Sequence, residues 1–373
     1  MIKLYTFQRV ILISALFSML SANCFANSTV NDPKRLFTAP QKILFGSCMH
    51  QDKKMPIFNA INKEQNTDLF IFLGDNIYGD TENMQVMANE YKKLSKHHGF
   101  QTLIANTPSI AIWDDHDFGI NDGGAEYPQK EASRKLMLDF WHEPKNSPRY
   151  TREDGIYTSY MYGDSDHKVQ VIMPDLRWNR QPLSHVTKEE YQNDRKPKQM
   201  GPYQPDPTAQ KSMLGEKQWQ WLEQQLQKPS KIKVIASSLQ LLSDFTGWEG
   251  WSNFPYDRER LFSLIKKYKV NGVIIISGDT HWGEMSSLQK NLDYPLWDVT
   301  SSGLTQEWKY VSPNKNRIGN AINTVNYGEI LINWQQDDPT IQLSLKDKKG
   351  SVFTTQRVTL SSISPYKSNV VKP

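Results

Sequence analysis

Cysteine is scarce: the 373-residue chain holds two, Cys24 and Cys48. A fold stapled by several disulfides is therefore excluded. Long hydrophobic runs are also missing. The most apolar stretch, Val10 to Leu20, falls short of the ~20 residues that cross a bilayer, so no transmembrane helix is expected in the mature chain. Neither sign of charge dominates. Lys and Arg number 44 against 40 Asp and Glu, a net +4 with no basic face or tail, which argues against a nucleic-acid scaffold. The one basic knot, Arg195-Lys196-Pro197-Lys198, lies in a polar stretch and reads as solvated surface. Internal repeats and low-complexity tracts are absent too. With 38% hydrophobic, 23% charged and 11% aromatic residues, the composition is that of a globular protein with a large core.

What is present begins with an N-terminal leader. Lys3 and Arg9 precede the apolar run, and Ser21-Ala22-Asn23-Cys24-Phe25-Ala26 supplies small residues before Asn27. This is the pattern of a secretory signal peptide over residues 1–26, with cleavage after Ala26 and a periplasmic or secreted product. Lipid attachment at Cys24 is the alternative, though Asn23 before it matches that signal poorly. Cleavage removes Lys3 and Arg9, lowering the net charge from +4 to +2, and leaves Cys48 as the one cysteine. A lone thiol in an oxidising compartment persists only if it is buried, bonded or ligated to a metal.

Beyond a linker at 27–40, residues 41–365 read as one α/β domain. Short apolar runs recur at Ile43 to Phe45, Leu69 to Leu73, Ile110 to Trp113, Val169 to Met173, Val234 to Ala236 and Val273 to Ile276. They read as buried strands, most delivering a polar loop. Helical stripes lie between them: Leu136, Phe140 and Trp141 after Glu131; Trp219, Leu222 and Leu226; and Leu261, Leu264, Ile265 and Tyr268 after Asp257, a candidate cap. Further on, Trp297 to Val299, Glu329 to Trp334 and Thr340 to Leu345 read as strands without helices between them, which implies a mixed or second sheet. Residues 179–213 are polar, proline-rich and without periodicity, and are expected to form a lid or mobile insertion.

Four strand ends carry residues of ligand type: Gly46-Ser47-Cys48, Gly74-Asp75-Asn76-Ile77-Tyr78-Gly79-Asp80, Trp113-Asp114-Asp115-His116-Asp117 and Gly278-Asp279-Thr280-His281-Trp282. Singly, each has an ordinary reading as a turn, a helix cap, a small buried hydrophobe or core packing. Together they point to one site, because ligands of open α/β sheets gather beyond the carboxyl ends of the strands. Asp75, Asp115 and Asp279 offer the oxygens that hard cations prefer. Cys48, Tyr78 and His281 form a softer, more basic set. Two unlike metals are implied, with Asp75 the natural bridge. Phenolate ligation calls for a strong Lewis acid, and iron(III) suits a Tyr/Cys/His/Asp set better than zinc does.

Those four strings, in this order, resemble the alkaline phosphatase D family of metallophosphoesterases. Asp175-Leu176-Arg177, Leu214-Gly215-Glu216-Lys217-Gln218-Trp219 and the stretch from Trp248 to Trp251 leading to Pro255 and Arg258 add to the likeness. It runs from about residue 41 to about residue 305. The resemblance implies a calcineurin-like fold: two stacked mixed β-sheets with helices outside, a four-layer sandwich. It implies iron(III) and calcium, with other divalent cations tolerated at the second position. Cys48, Asp75, Tyr78, Asp115, Asp279 and His281 would be metal ligands and His116 a general acid, while Asn76 and Arg177 are candidate substrate contacts. For Arg177 a buried structural pairing with Asp175 is an equal reading. The chain is expected to lack the separate N-terminal β domain seen in some members, because about fifteen residues separate the expected cleavage site from the first string.

The expected activity is that of an exported phosphodiesterase or alkaline phosphatase, with a metal-activated water attacking phosphorus in line. Two rival readings stand beside it. One is a phospholipase D-like hydrolase of phospholipids, with Trp248, Trp251, Phe254 and Tyr256 as an apolar wall. The other is a periplasmic protein that binds metal or phosphate without turnover, against which the proton donor His116 argues.

Overall fold

The computed structural model describes residues 38–366, apart from 165, 207, 209 and 210. The leader, its cleavage site, Cys24 and most of the linker at 27–40 lie outside the described residues.

The strands are β1 (Lys42–Gly46), β2 (Leu69–Leu73), β3 (Ser109–Ile112), β4 (Thr158–Tyr162), β5 (Val169–Met173), β6 (Ser184–His185), β7 (Tyr203–Gln204), β8 (Ile232–Ala236), β9 (Val273–Ser277), β10 (Gly283–Leu288), β11 (Leu296–Ser301), β12 (Asn326–Asn333), β13 (Thr340–Asp347) and β14 (Val352–Thr359). The helices are α1 (Ile57–Ile61), α2 (Met84–Leu94), α3 (His98–Asn106), α4 (Asp115–Phe118), α5 (Lys130–Phe140), α6 (Lys188–Glu190), α7 (Glu216–Gln227) and α8 (Pro255–Lys267).

Two six-stranded mixed sheets result. One has the order β14-β13-β12-β1-β2-β3 and the other β10-β11-β9-β8-β5-β4. In the first, β1, β2 and β3 are parallel and β12 runs against β1. In the second, β5, β8, β9 and β11 are parallel, with β4 and β10 antiparallel at the edges. The sheets pack through β1, β11, β12 and β13, as expected of a stacked sandwich with helices outside. Strands β2, β5, β8 and β9 are buried along their whole length, which explains why they read as apolar runs rather than alternating ones, with Gln170 in β5 and Lys233 in β8 buried among them.

Register decides where chemistry can happen. Gly46 lies opposite Phe72, and Leu73 opposite Ile112, so β1, β2 and β3 end level with one another. In the second sheet Ala236 lies opposite Ile276, and Ser277 opposite Thr300. The two rims meet: Ser47 donates its N–H to Ser301 (3.1 Å), and Leu304 donates back to Ser47 (3.0 Å).

Three local expectations change. The buried face of α5 is Ser133, Arg134, Met137 and Leu138, while Leu136, Phe140 and Trp141 cover the core margin half-buried. Asp257 does not cap α8, whose first turn is set by Pro255. Its carboxylate instead accepts from Met213 N (2.6 Å), Ser212 Oγ (3.0 Å) and Trp219 Nε1 (3.1 Å), fastening α8 to α7 and the loop before it. Residues 179–213 hold the ribbon β6-β7 and a run of short helical turns at 188–198. Their lack of periodicity reflects the brevity of those turns.

Replacing Asp257 by Ala leaves three donors unpaired, two of them buried. The expected cost is about 1–3 kcal/mol of stability, read by urea unfolding, with metal content unchanged.

Candidate active site

Each acid-bearing loop begins where a strand stops. After β1 the chain turns through Ser47 into Cys48, after β2 through Gly74 into Asp75, after β3 through Trp113 into Asp114 and Asp115, and after β9 through Gly278 into Asp279. Cys48, Asp75, Asp279 and His281 all have left-handed backbones, with φ of 60°, 50°, 71° and 63°. Such conformations cost a non-glycine residue of order 1–3 kcal/mol and concentrate at functional sites. Gly74, at φ 101°, is needed for a different reason: a Cβ there would sit 2.4 Å from Asp114 Cβ.

The first group gathers around one carboxylate. Asp75 Oδ2 accepts from Cys48 Sγ (3.3 Å) and from the Tyr78 hydroxyl (3.2 Å), and that hydroxyl lies 3.1 Å from His281 Nε2. Cys48 Sγ is also 3.1 Å from Ser302 Oγ, which accepts the His281 N–H at 2.8 Å. Burial pushes the Cys48 thiol up to about 12, so its thiolate requires a cation against the sulfur. Burial likewise pulls His281 down to about 4, leaving the neutral imidazole that metals bind. Tyr78 is sandwiched by imidazoles: His50 stacks at 4.7 Å and 12°, His116 at 4.0 Å and 33°.

The second group lies across Asp75. Donor atoms of Asp75, Asp115 and His116 fall within 4.8 Å of one another, as do those of Asp114, Asp115 and Asp279, and those of Asp115, Asp122 and Glu249. Burial raises the Asp75 and Asp279 carboxyls well above the usual range, and neighbouring acids add to it. For Asp115 burial also works upward, but His116 and Arg177 outweigh it and hold that carboxyl low.

Several side chains brace this cluster. Asp117 accepts from Asp75 N (3.1 Å), Asp114 N (2.7 Å) and Asn76 Nδ2 (2.5 Å). Arg177 is fully buried, bonded to Asp114 Oδ1 (2.5 Å) and Glu249 Oε2 (2.6 Å). Asn76 gives its amide to Ile112 O and Asp117. Neither Asn76 nor Arg177, the two expected substrate contacts, lines the cleft: both stand behind the carboxylates. Asp175 pairs with backbone N–H groups and not with the Arg177 guanidinium.

The cleft, about 140 Å³ and open to solvent, is lined by Asp115, His116, Asp122, Glu249, Asp279 and His281, with Trp248, Trp282 and Trp308 among its walls. His116 enters it with Nδ1 held by Asp80 at 2.7 and 2.8 Å. Burial alone would lower this imidazole, but Asp115, Asp75 and Asp80 push it up to about 11.

Metal ions fit these residues on the geometry alone. Six carboxylates (Asp75, Asp114, Asp115, Asp122, Glu249, Asp279) share the region with Arg177, Arg180 and His116 as cations. Asp75 Oδ1, Asp114 Oδ2, Asp115 Oδ1 and Glu249 Oε1 are buried without hydrogen-bond partners. Oxygens left so exposed to each other's charge are the donors that cations take.

The family model of the PhoD-like phosphatases matches residues 43–352. No curated protein matches the sequence significantly. Among solved structures, that of PhoD aligns with a TM-score of 0.65 at 16% identity, covering 86% of this chain and 69% of that one. GAP50, described as the anchor in the inner membrane complex of Plasmodium, aligns with a TM-score of 0.52 at 13% identity, over 86% of this chain and 89% of its own. At such identities both likenesses concern the fold.

Chelation is expected to lower the melting temperature by several degrees and re-addition of cations to restore it, because binding to the folded state offsets carboxylate repulsion. The double substitution Asp75→Asn with Asp279→Asn should raise the melting temperature of the stripped protein and shrink that response. Differential scanning calorimetry reads both.

Proposed function

The chain belongs to the PhoD-like phosphatase family and is a metal-dependent hydrolase of phosphate esters, and from that premise we propose an exported phosphodiesterase or alkaline phosphatase using two unlike metals. The observation that carries this reading is the convergence of Cys48, Asp75, Tyr78 and His281 on one point, with Asp115 and Asp279 beside it. Thiolate, phenolate and imidazole around a carboxylate suit iron(III), and the all-carboxylate side suits calcium or another hard divalent cation. Asp75 belongs to both groups and is the proposed bridge. Bound there, the ions would neutralise the phosphate and make a water nucleophilic near neutral pH.

The chain's own residues do the rest. His116 is the proposed general acid: Asp80 fixes its Nδ1, and Nε2 makes no protein hydrogen bond among the described residues, so it remains to donate to the leaving oxygen. Tyr78 packs against the His116 ring at 4.0 Å, tilted by 33°. Arg177, locked by Asp114 and Glu249, fixes the acid cluster and does not contact substrate. The open cleft suits an ester with one arm projecting outward. Export rests on the leader pattern of residues 1–26. No helix among the described residues is long and apolar enough to cross a membrane.

Bis(p-nitrophenyl) phosphate should be turned over, and chelation should abolish turnover; a metal-loaded protein inert toward diesters and monoesters alike would overturn the reading. His116→Ala should slow alkyl esters by ~10²–10⁴-fold while sparing nitrophenyl esters, whose leaving group needs no proton. Equal slowing of both would remove His116 from the role of acid. The loaded protein should be coloured by phenolate and thiolate charge transfer, and Tyr78→Phe should bleach or shift the band. A colourless, active zinc protein would refute the iron assignment.

A further inference from the structure

A second cavity adjoins the cleft. About 740 Å³ in volume, it shares the Trp248 and Trp308 walls and continues along Tyr310 to the turns at 191–200. Trp248 and Trp308 meet edge to face at 5.9 Å, and the Trp308 ring lies 5.8 Å from that of His281. A groove thus leads directly away from the candidate metal centre. Its outer wall is held in place: Gly201 N donates to Thr246 O (3.1 Å), Ser312 Oγ to Gln199 O (2.6 Å) and Trp248 Nε1 to Ser312 Oγ (3.1 Å).

The groove's charge comes from the basic knot. Arg195 pairs with Glu190, and Lys198 with Asp194. Lys196 and Lys309 both line the groove, and neither has a carboxylate partner among the described residues. The knot is therefore solvated surface only in part. Trp308 and Tyr310 are 41% and 48% exposed, and the Lys309 ammonium lies over the Tyr310 ring at 5.0 Å, so Trp308 offers the open aromatic surface and Lys309 is held beside it.

Resting on the phosphoesterase reading, we propose that this groove binds the non-scissile arm of a phosphodiester, an arm that has a flat ring or sugar face and a second phosphate. Aromatic faces take the ring, and the two lysines take the anion at a distance from the metals. A cationic arm such as choline meets like charge there, so the same geometry argues against a choline headgroup.

The test uses p-nitrophenyl diesters, which share one leaving group and differ in the other arm: methyl, thymidine through its 5′ oxygen, the same thymidine with a 3′-phosphate, and choline. On the metal-loaded protein, the 3′-phosphate should lower KM roughly tenfold relative to unphosphorylated thymidine, an advantage that shrinks with added salt, and choline should be the poorest substrate. Lys196→Ala with Lys309→Ala should erase the 3′-phosphate advantage and leave kinetics on methyl p-nitrophenyl phosphate unchanged. Turnover of the methyl ester with no discrimination among arms, or a preference for choline, would overturn the inference alone. No turnover of the methyl ester would overturn the phosphoesterase reading and this inference with it.

Discussion

The structure is organised around an electrostatic problem: six carboxylates drawn together at the rim of two stacked sheets, with two guanidiniums and an imidazole to answer them. Burying like charges is expensive unless each meets an opposite charge or a hydrogen bond. Arg177 meets that need for Asp114 and Glu249 from behind, leaving other oxygens facing one another. The fold tolerates this because the cluster crowns a large apolar sandwich, whose strands supply the stability that the site consumes.

Level strand ends make the gathering geometric rather than accidental. Parallel β1, β2 and β3 stop in register, and β9 does the same in the facing sheet. Four turns then emerge at one height. Left-handed residues mark three of them, those after β1, β2 and β9, and hydrogen bonds between Ser47 and the end of β11 and the segment after it clamp the sheets together. Strain at the tips and clamping below are two sides of one arrangement.

Much of this was legible in the sequence. β2 coincides with its unbroken apolar run because it is buried on both faces, β5 does so despite the buried Gln170, and the four ligand strings announce themselves by ending such runs in Gly, Ser or Asp. What escaped notice came from residues whose partners are remote in the chain. Asp80 closes one of the four strings, but nothing there marked it as the partner of His116, and Asp122 sits in an ordinary polar loop. Glu249 lies inside the quoted Trp248 to Trp251 stretch, where a lone acid among aromatics was the available sign. The turns at 188–200 are too short for any period, so nothing in the sequence joined Lys196 to Trp308. Asn76 and Arg177 carry the residue types of phosphate binders, and their burial and bonds to Asp117, Asp114 and Glu249 could not be read from the sequence.

Asp117 has a mechanical meaning beyond its hydrogen bonds. One carboxylate grips the loop after β2 through Asp75 N and the loop after β3 through Asp114 N. The two loops are thereby geared: neither can swing without turning the other. The spacing between the loops that carry Asp75 and Asp115 is thus a dimension of the polypeptide itself.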